Sequence, residues 1–275
     1  MKLKELVYFG KSGSFTHTVA KRISKSSILV SKSTIQEVVD YVKEDPSRQG
    51  VIPIENTSGG MIVDTIDSIV SRTNTLTIQH EYALNIRLHL MVKRSGAIKK
   101  IYSHFAPLHH CKNWIKENYP LADCVPVDST SEAADRASKE KGAAAIAQAV
   151  SAQEYGLKII KRNIGDHPLN ITQFYLIGHP SSIKKSAQET SLSITLKDHV
   201  GSLQKALAGF AKYKLNLRRI ISRPMGGKIN RYLFFLSIDA PIGDPLMDKS
   251  IALVRKTSEE VRVLGSYPVH APFET

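Results

Sequence analysis

The most distinctive polar residues follow a short apolar strand in the first quarter of the chain. Gly50 to Ile54 has the apolar pattern of a buried strand, which ends at Glu55-Asn56-Thr57 before a helix-period segment. A strand that ends this way places its polar side chains at the carboxyl edge of a sheet, where open α/β sheets bind ligands. The free amides at the start of the following helix favour an anion. The alternative interpretation is a helix cap that only satisfies backbone donors.

A glycine-rich turn near the start of the chain is a second candidate for this edge. Leu6 to Phe9 is predicted to form a strand, and Gly10-Lys11-Ser12-Gly13 a tight turn after it. Ser14 is a plausible N-cap for a helix whose apolar positions begin at Phe15. The first half of the chain continues to alternate apolar strands with helix-period segments, which is typical of α/β architecture.

The order of the elements predicts two lobes followed by a separate domain. Residues 81–92 form a strand-like segment long enough to leave the first lobe, and strands at 157–164 and 172–177 lead back to it. Two lobes joined in this way can close over a cleft. After a linker at 179–189, the order strand-helix-strand-strand-helix-strand is ferredoxin-like. We expect its second and third strands to flank a turn at Met225-Gly226-Gly227.

Composition limits the partners. The formal net charge of +13 favours anionic ligands, but the basic residues are scattered, so a small anion is a better prediction than nucleic acid. No apolar run reaches the roughly 20 residues that span a bilayer. The N-terminus has no signal-peptide core, so we expect a cytoplasmic protein without a membrane partner.

Cysteine and histidine usage gives little support to a metal site. Cys111 and Cys124 match no metal or redox spacing and are expected to be reduced thiols. His104, His109 and His110 lie close to Cys111, but adjacent histidines on a helix cannot point the same way, so we predict no metal. His104 is expected to be structural.

The motifs together resemble the prephenate dehydratase family. Pro53-Ile54-Glu55-Asn56-Thr57 is similar to that family's PIEN(S/T) signature, and Tyr8-Phe9-Gly10 with Gly13-Ser14-Phe15 resembles its opening turn. The remaining similar segments follow in the family's order along nearly the whole chain: Ser103-His104, Ser129-Thr130 with Glu132, Ala145-Ile146-Ala147, Asn170 with Thr172 and Phe174, and Ser222-Arg223-Pro224.

This resemblance implies a fold and a domain division. The expected fold is a two-lobed, periplasmic-binding-protein-like α/β unit followed by a ferredoxin-like (βαββαβ) ACT domain. The expected catalytic unit is 1–180, with lobe one at 1–80 plus 166–180 and lobe two at 81–165. A linker would occupy 181–189 and the ACT-like domain 190–275.

The resemblance also implies an activity, the conversion of prephenate to phenylpyruvate with loss of water and carbon dioxide, without a cofactor. Thr172 would assist the departing hydroxyl of the dianionic substrate. The other residues expected at the substrate are Ser12, Gly13, Ser14, Phe15, Glu55, Asn56, Thr57, Asn170, Gln173 and Phe174. The alternative for Thr172 is a β-branched strand residue that only packs.

Two departures from the family pattern concern the catalytic unit. Gln173 stands where the family has Arg, and Ala106 where it has Gln. A neutral amide cannot replace a guanidinium charge, so we expect a weakened dehydratase. The alternatives are a decarboxylase that does not aromatise the ring, and a non-catalytic small-anion-binding regulator on the same fold.

The resemblance assigns an amino-acid effector and a homodimer or homotetramer to the C-terminal domain. Ile221 stands where the family has Glu, which removes a partner for an effector's ammonium group. The corresponding effector positions are Gly201, Ser202, Leu203, Asn216, Ser222, Arg223 and Pro224.

Overall fold

The computed structural model describes residues 4–24, 26–167, 169–225 and 231–274. In chain order its elements are β1 (Glu5–Phe9), α1 (Phe15–Ile23), β2 (Ile28–Lys32), α2 (Ile35–Lys43), β3 (Gln49–Asn56), β4 (Gly60–Met61), α3 (Val63–Val70), β5 (Thr77–Asn85), β6 (His89–Val92), β7 (Lys100–Ser103), α4 (Phe105–His110), α5 (Lys112–Asn118), β8 (Asp123–Pro126), α6 (Thr130–Lys139), β9 (Ala143–Ala147), α7 (Ala149–Glu154), β10 (Lys158–Lys161), β11 (Ile171–Gly178), β12 (Glu189–Thr195), α8 (Ser202–Ala211), β13 (Leu217–Pro224), β14 (Tyr232–Ile238), α9 (Pro245–Thr257), β15 (Glu260–Tyr267) and β16 (Phe273–Glu274).

The first lobe is built on a seven-stranded sheet in which β11 lies between β3 and β5. β1 pairs in parallel with β2 and β3, so the carboxyl ends of β1 and β3 lie at the same edge. β11 runs antiparallel to β3 and β5. One face of the sheet packs on α2 and α3. The other face belongs to an apolar cluster that also contains Ile101, Ala144 and Ile146 of the second lobe.

The second lobe has a five-stranded sheet in the order β10-β6-β9-β7-β8. β5 stays in the first sheet as far as Asn85, and β6 begins the second sheet at His89, so the chain crosses between lobes there. The helical segment that follows β7 is divided in two. Two helices, α4 and α5, meet at Cys111, whose ψ of 14° interrupts regular α geometry.

The C-terminal domain has the strand order β13-β14-β12-β15, with every neighbouring pair antiparallel. Two helices, α8 and α9, pack on its apolar core. Gly209 permits their close approach, since a Cβ there would lie 2.9 Å from a Val254 methyl group. This arrangement confirms the ferredoxin-like prediction, and the α/β lobes before it confirm the two-lobed fold. Of the turn predicted at Met225-Gly226-Gly227, the two glycines lie outside the described residues.

The C-terminal domain packs directly against the first lobe. Phe235, Leu264 and Tyr267 share an apolar cluster with Ile78 and Tyr175 of the first lobe. The last strand, β16, extends this contact by pairing in parallel with β5 of the first sheet. Over the described residues, no helix is both long and apolar enough to cross a membrane.

Candidate active site

A hydroxyl and two amides meet where β3 and β11 pair at the sheet edge. Asn56 and Thr172 are paired in the register, so their side chains share one face of the sheet. Asn56 Nδ2 donates to Thr172 Oγ1 at 2.8 Å and to Asn170 Oδ1 at 3.0 Å. Thr172 is 6% exposed. The structure thus brings together three of the residues that the sequence analysis expects at the substrate.

Backbone contacts fix the orientation of the Asn56 amide. Its Oδ1 accepts from the backbone N–H groups of Ser58 and Gly59, each at 2.9 Å. The nitrogen must therefore face Thr172, and it can only donate. The Thr172 oxygen thus acts as an acceptor, and its hydrogen meets no acceptor among the described residues. This hydroxyl hydrogen is available to a ligand.

Thr172 faces the second lobe. Phe174, two residues along the same strand, shares its face and packs with Ile146 of the second lobe. Phe174 itself has no exposed surface. This ring lies in the core that joins the lobes beneath the edge, and its contact with substrate stays a prediction.

Thr57 supports the edge through backbone bonds. Its Oγ1 accepts from the Ile171 N–H at 3.0 Å, and its own N–H donates to the Ile171 carbonyl at 2.9 Å. Thr57 therefore fastens the start of β11 beside Thr172. These contacts fit the alternative interpretation of Thr57, in which it only satisfies backbone groups, better than a role in lining the pocket.

The predicted turn at residues 10–13 reaches the second lobe. Gly13, at φ 81°, accepts from Gln148 Nε2 at 2.7 Å and from Ser151 Oγ at 3.1 Å through its carbonyl. Its N–H donates to His17 Nδ1 at 3.0 Å. Burial, followed by the charge of Lys21, lowers the pKa of His17, which keeps its ring neutral and able to accept.

The turn's other predicted residues are also held by protein contacts. Ser14 caps α1 through its Oγ, as predicted, and its N–H donates to the Lys11 carbonyl. The Ser12 carbonyl accepts from the Tyr155 hydroxyl at 3.4 Å, and Phe15 packs against the apolar cluster of both lobes. The amides of Gly13 and Ser14 therefore both have partners within the protein.

The second lobe contributes a residue that the sequence analysis did not select. Ser131 lies in the first turn of α6, is fully buried, and its Oγ has no partner among the described residues. A Cβ built on Gly13 would lie 3.6 Å from this oxygen. The neighbouring family-like motif Ser129-Thr130 is the only signal in the sequence that points to this position.

Glu55 and Gln173 lie on the face of the sheet opposite to Thr172. A bulge at this point of β3 pairs Glu55 with Gln173, next to the Asn56–Thr172 pair. Gln173 Nε2 donates to Glu81 Oε1 at 3.1 Å. Glu55 Oε2 accepts from Arg219 of the C-terminal domain at 2.8 Å. Both side chains therefore face that domain and not the second lobe.

His104 and His110 make contacts within the protein. His104 caps α4, and burial lowers its pKa. His110 Nδ1 lies 3.2 Å from Ser58 Oγ, which is a further contact between the lobes. Both cysteines are free, and burial raises the pKa of Cys111 to about 12. No group of three potential metal ligands occurs within the described ranges.

The predicted effector positions belong to the start of α8 and to the two ends of β13. Gly201 is the N-cap of α8, with φ 81°, and Ser202 and Leu203 open that helix, Leu203 against the domain core. Asn216 Nδ2 donates to Asp239 Oδ2 at 3.0 Å. Arg223, between Ser222 and Pro224 in β13, makes two bonds of 2.7 Å to Asp67 of α3. Arg223 therefore joins the C-terminal domain to the first lobe.

Fold and site together define a class: a two-lobed α/β protein with a hydroxyl donor at the strand edge facing its partner lobe, followed by a ferredoxin-like domain. Comparison with known proteins gives the family. Residues 6–182 match the family model described as prephenate dehydratase. The chain belongs to the prephenate dehydratase family.

Individual relatives cover almost the whole chain. A bifunctional chorismate mutase/prephenate dehydratase of Aquifex aeolicus is 32% identical over 267 residues, which cover 96% of this chain and 73% of the relative. A prephenate dehydratase of Lactococcus lactis subsp. lactis is 30% identical over 275 residues, which cover 97% of this chain and 98% of the relative. The structure of the Arthrobacter aurescens prephenate dehydratase in complex with L-Phe has a TM-score of 0.87 at 28% identity, covering 96% of this chain and 90% of that one.

Proposed function

We propose that this chain converts prephenate to phenylpyruvate, with loss of water and carbon dioxide, in phenylalanine biosynthesis. The observation that carries the proposal is the Thr172 hydroxyl. Its oxygen accepts from Asn56, and its hydrogen has no acceptor among the described residues. Family membership and the cationic net charge of +13 support a small dianionic substrate.

The reaction asks little of the protein beyond positioning and hydrogen bonding. When the bond from the ring to its carboxylate breaks, carbon dioxide leaves and the electron pair moves into the ring. The ring hydroxyl departs at the same time with the bonding electrons of its own carbon–oxygen bond, which completes the aromatic ring, and it takes up a proton from solvent as water. A hydrogen bond from Thr172 stabilises the negative charge that grows on this oxygen. Such a donor is worth about 2.7–4 kcal/mol in comparable sites.

We propose that one substrate carboxylate lies at the start of α6. The buried, unpartnered Oγ of Ser131 is there, beside the Gly13 turn of the first lobe. Amides at the beginning of a helix favour a carboxylate. A ligand bound between Thr172 and Ser131 would contact both lobes and stabilise their closed arrangement.

The test is purified protein with prephenate, followed by the absorbance of phenylpyruvate. Thr172→Val keeps the branched shape and removes the hydroxyl, so we expect kcat to fall about 100-fold or more, with substrate binding retained. The buried Thr190, whose Oγ1 donates to the Ala240 carbonyl in the C-terminal domain, supplies the control. Thr190→Val is expected to alter stability only.

Other outcomes identify the alternatives. A decarboxylated, non-aromatic product would indicate an altered lyase, and a thermal shift without product would indicate a binding protein. Turnover that survives in Thr172→Val would remove Thr172 from the mechanism. The proposed weakening through Ala106 is tested separately by Ala106→Gln, for which a rise in kcat is expected.

For the C-terminal domain we propose an ACT-type role: assembly of a cytoplasmic homodimer or homotetramer and binding of an amino-acid effector. The ferredoxin-like strand order supports this role, as does the related Arthrobacter structure with bound L-Phe. Light scattering after size-exclusion chromatography measures the assembly, and calorimetry with L-Phe measures effector binding. A monomer that does not bind L-Phe would contradict both parts.

A further inference from the structure

Arg219, on β13 of the C-terminal domain, reaches into the first lobe and bonds three carboxylates. Its Nε donates to Glu55 Oε2 at 2.8 Å, and its two terminal nitrogens donate to Glu81 at 2.9 Å each. A further bond of 2.8 Å goes to Glu189 at the start of β12. The Arg219 side chain is 4% exposed, and those of Glu81 and Glu189 are 1% and 0% exposed.

The position of this guanidinium relative to the strands is specific. Glu55 belongs to β3 and Glu81 to β5, the two strands that flank β11. Arg219 therefore bridges across β11, on the face opposite to Thr172, at the level of Gln173. Gln173 also bonds Glu81, at 3.1 Å. The guanidinium thus fixes both neighbours of the strand segment that carries the hydroxyl.

The contact between Arg219 and Glu55 is one residue away from the active site along the chain. Glu55 immediately precedes Asn56, the residue that orients the Thr172 hydroxyl. A bulge lies at this point of the β3–β11 pairing, where the ladder is interrupted. An interrupted ladder leaves the position of the Asn56 backbone dependent on what holds Glu55, while Ser58 and Gly59 set how the amide is turned. Arg219 supplies that restraint.

The cluster around Arg219 has cations of its own beside position 173. Three carboxylates face Arg219, and the one further cation in contact within the described residues is Arg218, 3.3 Å from Glu189. A guanidinium at 173, as in the family motif, would meet the same Glu81 oxygen that Gln173 meets now. Burial raises the pKa of the Glu81 carboxyl, and the Arg219 charge opposes that rise.

We propose that Arg219 is a positioning residue for the dehydration step: from the C-terminal domain it holds β3 and β5 so that Asn56 presents the Thr172 hydroxyl to substrate. This inference rests on the proposed function. It makes the C-terminal domain part of the catalytic geometry, and it gives that domain a direct physical path to the reaction rate.

The test compares Arg219→Gln, Glu55→Gln and Arg219→Lys in the full-length protein. We expect Arg219→Gln to lower kcat about 10- to 100-fold, the range that a misplacement near 1 Å produces, while KM changes less than threefold. Glu55→Gln lies at a half-exposed carboxylate and should fold even if Arg219→Gln does not. Its kcat should fall at least threefold. Arg219→Lys keeps the positive charge but not the forked guanidinium group, so its kcat should lie between those of the wild type and Arg219→Gln.

The double variant Arg219→Gln/Gln173→Arg supplies the rescue. A guanidinium from β11 can reach Glu81, so we expect it to recover at least a tenth of wild-type kcat and to exceed Arg219→Gln alone. If Arg219 had only a structural role, a guanidinium at position 173 would not restore kcat in this selective way.

Arg262 is the matched control, because it is another interdomain arginine. It donates to the Val70 and Ser71 carbonyls at the end of α3, away from β11. Arg262→Gln should lower the Tm and leave kcat within twofold. Equal kcat losses in Arg262→Gln and Arg219→Gln, or wild-type kcat in Glu55→Gln, would overturn the proposal. An inactive wild-type protein would instead overturn the dehydratase function, so the two failures are distinct.

Discussion

Replacing Asn56 by Asp tests the orientation of the hydroxyl with almost no change in shape. The substituted carboxylate would still accept from the N–H groups of Ser58 and Gly59. Its second oxygen would take the place of Nδ2, 2.8 Å from Thr172 Oγ1. A carboxylate oxygen cannot donate, so the Thr172 hydroxyl would turn and donate to it. The hydrogen now available to substrate would then be lost to the protein.

The size of the effect follows from that bond. A hydrogen bond to a charged group contributes about 1.5–3 kcal/mol, and Thr172 must give it up before it can assist the departing hydroxyl. Each 1.36 kcal/mol in the barrier is tenfold in rate, so kcat should fall about 10- to 150-fold. The new negative charge also repels a dianionic substrate, which should raise KM. Asn170 can reverse its amide to donate to the new carboxylate, so the loss of stability should stay below about 2 kcal/mol.

The assay is the steady-state rate of phenylpyruvate formation, with the free energy of unfolding measured in parallel. Asn74→Asp is the matched control. Asn74 is a buried amide that accepts from the Leu76 N–H and donates to the Ile69 carbonyl, in a turn away from the site. This variant should lose stability and keep its kcat. A kcat for Asn56→Asp within threefold of wild type would refute the orientation argument, since the hydroxyl hydrogen would then have no role.

Two further predictions concern pH and the turn between the lobes. Burial, then Lys184 and His270, lower the pKa of His80 to about 4 from 6.5, so the unfolded chain binds more protons between these values. The free energy of unfolding should therefore fall as pH drops from 6.5 towards 4, by at most about 3 kcal/mol. Urea titrations at several pH values measure this dependence, and His80→Gln should make it weaker. The same pH dependence in His80→Gln as in wild type would disprove the role of His80. Gly13→Ala places a Cβ at φ 81° and 3.5 Å from Ser151 Oγ, which should cost about 1–2 kcal/mol and raise KM. The control is Gly142→Ala, at φ 78° in a loop of the second lobe, which should show the same backbone strain and keep the wild-type KM. Equal changes in KM for Gly13→Ala and Gly142→Ala would contradict the proposal that substrate binds beside the Gly13 turn.

Local patterns were sufficient to predict most of the elements and the order of the C-terminal strands. The apolar stripe of α2 at residues 35, 38, 39 and 42 is fully buried, as its spacing indicates. The cap at Ser14 and the polar end of β3 are also where the sequence places them. These features depend on neighbours within a few residues, which a pattern records directly.

The site was predicted less well, because its faces depend on pairing between distant strands. Side chains alternate along a strand, so residues 172 and 173 cannot both face the second lobe. This rule alone would have separated Gln173 from Thr172. Glu55 was harder to place, since the bulge in β3 shifts the alternation by one residue. Arg219 meets carboxylates 164, 138 and 30 residues away, and no local pattern records such a contact.

The position of β16 has a consequence for how the protein forms. The sheet that begins at residue 5 receives its edge strand from residues 273 and 274, where Asn85 Nδ2 and Arg22 both bond Glu274. During synthesis the N-terminal lobe is therefore exposed along β5 until nearly all of the following 190 or so residues have left the ribosome. Unpaired strand edges promote association between chains. A probe attached at Glu274 would also lie beside the segment where the chain passes between the lobes, so a probe elsewhere is the better choice for measuring lobe closure.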